Sequence, residues 1–123
     1  MIKTLLIVGL GGAIGSMLRF LTTAIVQRWW SGHFPLATFV ANVAGCFLIG
    51  LFIGLLEKYQ LADSQWKWFL ITGFCGGYTT FSAFGHESIN LFEHNSLVAF
   101  AYMALSVVMG ILAVWLGLFA AKL

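Results

Sequence analysis

Charge is nearly missing from this chain. Of its 123 residues 8% are Asp, Glu, Lys or Arg, against about 25% in an ordinary soluble domain, so a water-soluble fold would have almost nothing polar to display. The six basic and four acidic side chains leave a formal charge of +2, too small and too scattered for the basic patch that nucleic-acid binding requires. Cysteine occurs twice, at Cys46 and Cys75, both inside apolar runs. None of the close spacings of disulfide frameworks, zinc sites or redox motifs is present, and both read as small buried hydrophobes. The three histidines show no i, i+3 or i+4 pairing, and His33 and His94 fall in connections, which argues against haem or metal ligation. No serine, histidine and carboxylate are spaced as a nucleophilic site, so an enzyme is not expected. The only proline, Pro35, stands where a helix begins and its missing N–H costs nothing.

What the chain has in abundance is apolar surface: 61% of its residues are hydrophobic. Runs extend from Thr4 to Val26, Phe34 to Leu56, Trp66 to Asn90 and Leu97 to Ala121. A crossing takes about 20 residues, so each run is long enough to span and four use up most of the chain. The expectation is an all-α membrane protein, with residues 1–123 forming a single four-helix transmembrane domain. The N-terminal run opens like a signal peptide, but it carries Arg19 and continues to Ile25 without a cleavage signal, and so reads as an uncleaved first helix. The connections, Gln27 to His33, Glu57 to Gln65 and Leu91 to Ser96, are short, which makes successive helices antiparallel neighbours. Trp29, Trp30, Trp66 and Trp68 stand at run ends as interface anchors. Outside the runs Lys3, Lys58, Lys67 and Lys122 fall on one side and Arg28 on the other, a bias that favours cytoplasmic termini. Multiple passes through a membrane, in contact with lipid, follow.

Small residues recur at packing intervals: Gly11 and Gly15, Gly12 and Ser16, Ala41 and Gly45, Gly50 and Gly54, Ser106 and Gly110. Such faces let backbones approach in lipid. The run Gly73-Phe74-Cys75-Gly76-Gly77-Tyr78-Thr79-Thr80 is different, because three glycines and two threonines in mid-span are poor helical material. It predicts a third helix broken mid-membrane, with freed carbonyls that need a partner.

Polar side chains inside the spans are few. Arg19 and Glu87 are the intramembrane charges, functional candidates by default. Asn42 places a primary amide near the centre of an apolar run, where lipid satisfies none of its hydrogen-bonding positions. Phe81 and Phe84, three apart and followed by Ser88, share a helix face just after the expected break, beside Thr79, Thr80 and Ser82. Tyr102 and Ser106 align at i and i+4 on the fourth run and offer hydroxyls from a second wall.

Gly12-Ala13-Ile14-Gly15-Ser16-Met17-Leu18-Arg19-Phe20, Asn42-Val43-Ala44-Gly45-Cys46-Phe47-Leu48-Ile49-Gly50 and Gly73 to Thr80 followed by Phe81-Ser82-Ala83-Phe84 together resemble the Fluc (CrcB) fluoride channels over the whole chain. The resemblance implies a bacterial cytoplasmic (inner) membrane as the location, an antiparallel, dual-topology homodimer with two fluoride pores, passive fluoride export that relieves cytoplasmic toxicity, and a structural sodium ion at the dimer centre. It implies Asn42 as the pore amide, Phe81 and Phe84 as the aromatic lining, and Arg19 as the mark of the vestibule. Sodium would be held by the backbone carbonyls of Gly76 and Thr79. Thr80, Ser82, Tyr102 and Ser106 complete the expected polar path, and Glu87 joins Arg19 at the vestibule. The chemistry agrees: fluoride holds water tightly, so its path needs neutral donors and positive ring edges, whereas a lysine in the constriction would bind too strongly for exit.

Two other classes fit less well. A small proton-coupled multidrug exporter needs an embedded carboxylate in its first helix, where this chain carries Arg19. A passive assembly subunit would leave Asn42 and the glycine-threonine run without a purpose. The dual orientation implied by the resemblance has a direct measurement. A cysteine introduced at Ala62, in the second connection, should be labelled in roughly half the copies from each face of an intact membrane; labelling from one face alone would leave the lysine bias as the sole determinant of orientation.

Overall fold

The computed structural model describes all residues, 1–123, and every regular element in it is helical. Three helices are long and apolar enough to cross a membrane: α1 (Ile2–Trp29), α2 (Leu36–Lys58) and α6 (Ser96–Ala121). At 1.5 Å per residue they reach about 35–42 Å, more than the ~30 Å hydrocarbon core. Between α2 and α6 the third run folds as a composite: α3 (Gln65–Lys67), a π-helical stretch Trp68–Cys75, α4 (Gly76–Tyr78), two extended residues, and α5 (Phe81–His94). The four spans expected from the sequence are present, three continuous and one interrupted.

Only 17 of the 123 residues are buried, so the inside-out logic of a soluble core does not apply. Ile2, Leu6, Phe20, Leu97, Val108 and Ile111 are among the large apolar side chains left outside, as helices in lipid require. The one aromatic-rich core lies toward the α5–α6 end, where Leu91, Ala99 and Tyr102 are enclosed by Phe34, Phe39, Phe84, Phe92 and Val98.

Packing divides the chain into two close pairs, α1 with the composite third span and α2 with α6, and glycine sets both. A Cβ on Gly50 would strike the carbonyl oxygen of Val114, and one on Gly117 would strike that of Phe47, so α2 and α6 notch each other reciprocally. Along α1, a Cβ at Gly11 or Gly15 would enter the carbonyls of Phe69 or Phe74.

The break in the third span falls inside the expected Gly73–Thr80 run, at its threonine end rather than at its glycines. Gly73, Gly76 and Gly77 all remain helical, and the backbone opens one residue after Tyr78, at Thr79 (φ −86°, ψ 159°) and Thr80 (φ −149°, ψ 115°). The glycines serve closeness: a Cβ on Gly73 would lie 2.8 Å from the Val8 oxygen, and one on Gly77 would lie 3.0 Å from Cα of Gly12. In lipid a helix has no water to unwind toward, so low helical propensity is outweighed by packing. The local departure takes a milder form before the break, where the Gly76 N–H reaches back five residues to the Ile71 carbonyl, a π-type widening of the sort common near functional sites. Run ends also shift: α5 continues to His94, which leaves Asn95 alone between α5 and α6.

The notch between α2 and α6 is open to test. Gly117→Leu should destabilise the purified protein by about 3 kcal/mol or more, because neither backbone can retreat without losing the whole interface. Gly9→Ala, at a position with nothing within 4 Å of the added Cβ, should leave the melting temperature unchanged.

Candidate functional site

The two extended threonines leave a gap in the helical ladder, and Asn42 of α2 fills it. Its Oδ1 accepts from the Thr80 N–H at 2.8 Å, while its Nδ2 donates to the Thr80 carbonyl at 3.1 Å. The side-chain amide therefore pairs with one backbone unit as a neighbouring strand would. It spends one amide hydrogen and one lone-pair direction of Oδ1, and the second amide hydrogen stays free. The sequence marked Asn42 as a polar group seeking a partner; its first partner is the broken backbone itself.

Local capping fixes the rest. Thr80 Oγ1 accepts from the Ala83 N–H at 3.2 Å and so starts α5, and it lies 3.2 Å from Ser82 Oγ. Thr79 turns its hydroxyl back to donate to the Cys75 carbonyl at 2.9 Å, and its methyl occupies the space left by the absent side chain of Gly45. The Thr80 N–H, which a continuous helix would aim at the Gly76 carbonyl, is turned to Asn42, and the Thr79 carbonyl receives no hydrogen bond within the chain.

Around this break lies a cavity of about 400 Å³ whose wall includes Asn42, Gly76, Thr79, Thr80, Phe81, Phe84 and Ser106. Seven of the residues singled out from the sequence thus meet at one place, and no carboxylate, ammonium or guanidinium group lines it. Phe81 and Phe84 stand 5.6 Å apart between ring centroids, and Phe84 continues to Tyr102 at 5.2 Å. Phe81 is 82% exposed, the most exposed phenylalanine of the chain. The hydroxyls of Tyr102 and Ser106 are buried and have no hydrogen-bond partner. A buried hydroxyl without a partner is costly unless something polar visits it. Tyr102 stands behind the lining, against Phe84, whereas Ser106 is on it.

The two charged candidates lie elsewhere, on a second cavity of about 570 Å³ that they share with Thr38, His33, Asn90 and His94. Arg19 Nε donates to the Gly77 carbonyl at 3.4 Å, and Glu87 accepts from Thr38 Oγ1 at 2.7 Å. Arg19 is thus tied to the α4 backbone rather than to a carboxylate.

Thr38, Thr72 and Cys46 were not foreseen as lining residues. Thr38 was within reach of sequence reasoning, since it precedes Asn42 by four residues and so shares its face of α2. Cys46, four residues after Asn42, was within reach on the same ground, whereas Thr72 carried no such signal, since no recognised polar side chain stands three or four residues from it. His33 and His94, separate in sequence, are neighbours in space, with ring centroids 5.7 Å apart; the absence of a paired spacing along one helix concealed a pairing between the first connection and the end of α5.

Comparison with known proteins accords with this arrangement. The family described as CrcB-like protein, Camphor Resistance (CrcB), matches residues 6–118. A protein of Flavobacterium psychrophilum named fluoride-specific ion channel FluC is 54% identical over 121 residues, covering 98% of both chains. Proteins with the same name from Azobacteroides pseudotrichonymphae and Azotobacter vinelandii are 43% identical over 120 residues (95% of this chain, 94% of the relative) and 42% identical over 124 residues (100% of both). A match that runs through α1, the Asn42 helix, the broken span and α6 leaves no part of the site outside it, and the chain belongs to the CrcB family.

Proposed function

We propose that this protein is a fluoride-specific ion channel that lets fluoride leave the cytoplasm passively across the bacterial inner membrane and so limits its toxicity. The observation that carries the reading is the neutral cavity at the break of the third span. A path for a small, strongly hydrated anion must replace water with donors, yet it must not hold the ion. The free amide hydrogen of Asn42, the hydroxyl of Ser106 and the positive edges of Phe81 and Phe84 supply donors without a fixed charge. Arg19 sits on the other cavity, where a cation raises the local concentration of anions without trapping them in the constriction. Thr80, Ser82 and Tyr102 support the wall: the first two start α5, and Tyr102 backs Phe84. Glu87 lies outside the neutral cavity and is occupied by Thr38, which suits a passive path better than a proton-coupled one.

The working unit in this reading is an antiparallel homodimer of dual topology. Its support is the exposure of Phe81, a ring that belongs to the cavity wall yet is largely uncovered by its own chain. A second copy would cover it and close the path. The Gly76 and Thr79 carbonyls fit a structural sodium ion, since the first has lost its helical donor to Asn42 and the second receives none, and hard oxygen ligands are what such a cation takes. When bound between two copies, the ion would supply a fixed positive charge at the dimer centre.

Purified protein in liposomes should release fluoride and retain chloride; release of neither, or of both alike, overturns the reading. Phe81→Ile and Phe84→Ile keep bulk but remove the ring edge, and each should slow fluoride efflux about tenfold or more, the equivalent of ~1.4 kcal/mol in the barrier. Asn42→Asp should be worse, for it sets an anion in an anion path of low dielectric and removes the donor to Thr80. Efflux at the parental rate in folded variants would refute the assigned lining.

A further inference from the structure

We infer that His33 and His94 form a binding site for a borderline divalent transition-metal cation such as Zn²⁺, Ni²⁺ or Cu²⁺, bridging the α1–α2 connection to the end of α5 at the rim of the second cavity. This inference does not depend on the fluoride reading.

The tautomer of His94 is set by its surroundings. Its Nδ1 lies 2.9 Å from the Asn90 carbonyl oxygen, an acceptor only, so Nδ1 carries the hydrogen and the neutral ring presents a bare Nε2. A ring N–H held by a backbone carbonyl is the usual outer support of a metal-binding histidine. Across from it, His33 is displayed by a pinned loop. The Trp30 indole donates to the Phe34 carbonyl at 2.8 Å, bridging the loop on either side of His33, and the Phe34 ring is anchored on Tyr102 at 5.3 Å between centroids. The His94 side is pinned as well: Asn95 donates its N–H to the Leu91 carbonyl and accepts from the Leu97 and Val98 amides. Two imidazoles are therefore brought together by backbone that is already organised, which lowers the ordering cost of a shared ligand.

The separation suits one ion. A metal–nitrogen bond of about 2.0–2.1 Å, with roughly 1.2 Å more to each ring centre, gives centroids about 5.2 Å apart on a tetrahedral ion and about 6.4 Å apart on a linear one. The observed 5.7 Å lies between these limits; the rings are stacked with their planes 25° apart, so a turn about the side-chain torsions of these exposed residues is what brings both nitrogens onto the ion. Both histidines are exposed and belong to the same cavity wall, so a hydrated cation has access. No group of three or more His, Cys, Asp or Glu side chains could complete a closed site; water would fill the remaining positions, and binding would be reversible. Imidazole donors select zinc, nickel and copper over magnesium or calcium.

The test uses tag-free, detergent-purified full-length protein, since a polyhistidine tag would mask the effect. Sub-millimolar Zn²⁺ should raise the melting temperature, because a ligand of the folded state stabilises it, and EDTA should reverse the rise. Mg²⁺ should have no effect. His33→Ala and His94→Ala should each abolish the shift, whereas His86→Ala should retain it. With Cu²⁺, the paramagnetic resonance spectrum should carry the coupling of two imidazole nitrogens in the parent and fewer in either variant. An unshifted parent, a shift that survives in His33→Ala or His94→Ala, or a copper spectrum the same in all three would reduce the pair to a plain ring stack and overturn the proposal. Melting temperatures in EDTA that agree between parent and variants exclude misfolding as the cause of a lost shift.

Discussion

A backbone that stops being helical inside a membrane must find hydrogen-bond partners within the protein, and here one side chain supplies them. Asn42 meets both the N–H and the C=O of Thr80, an arrangement that no hydroxyl, carboxylate or ammonium can copy, since each lacks either the donor or the acceptor in the right plane. Everything around the cavity depends on that pairing. It allows Thr79 and Thr80 to be extended, gives Thr80 the position from which it caps α5, and so aims Phe81 and Phe84. A missing partner would leave two part-buried backbone groups unsatisfied at membrane depth, each costing up to about 1–3 kcal/mol, before any anion is considered. The residue proposed to meet the anion is also the one that holds the opened backbone in place.

The glycines play the complementary part. They do not loosen the third span; they let α1 lie against it so closely that backbone meets backbone at Gly11, Gly15, Gly73 and Gly77. Lipid offers no hydrophobic gain for bringing helices together, so close packing supplies the cohesion. Two tight pairs result, and the cavity falls where the break of the first pair faces α2 and α6 of the second. Rigid walls on both sides suit a path whose donors must be placed before the ion arrives.

Much of this was legible in the sequence, and the reasons are particular. The scarcity of charge and the four long apolar runs dictated helices in a membrane, and Asn42, Phe81 and Phe84 stood out because each was polar or aromatic in a setting where that type needs an explanation. The break was foreseen within the glycine-threonine run, but propensities measured in water, which rank glycine among the poorest helix formers, do not tell that the glycines stay helical and the two threonines alone open. Tyr102 was placed one layer too far forward for a related reason: helical spacing gives the face of α6 but not the depth at which a side chain ends. The nearness of His33 and His94 was hidden because it joins a connection to the end of a distant helix, and no periodicity along one element encodes it.

The single residue Asn95 separates α5 from α6, and its side chain holds the first amides of α6 while its own amide closes α5. A joint this short has no slack. Any rolling of α5 that moved Phe84 would carry the start of α6 with it, so Phe84, Tyr102 and Ser106 behave as parts of one lever. The link between α2 and the third span, from Tyr59 to Ser64, has the length to absorb change. Tolerance for added sequence is therefore unequal around the molecule: the Tyr59–Ser64 link can carry an insertion, while at Asn95 even one extra residue would rotate an entire wall of the cavity by a fraction of a turn.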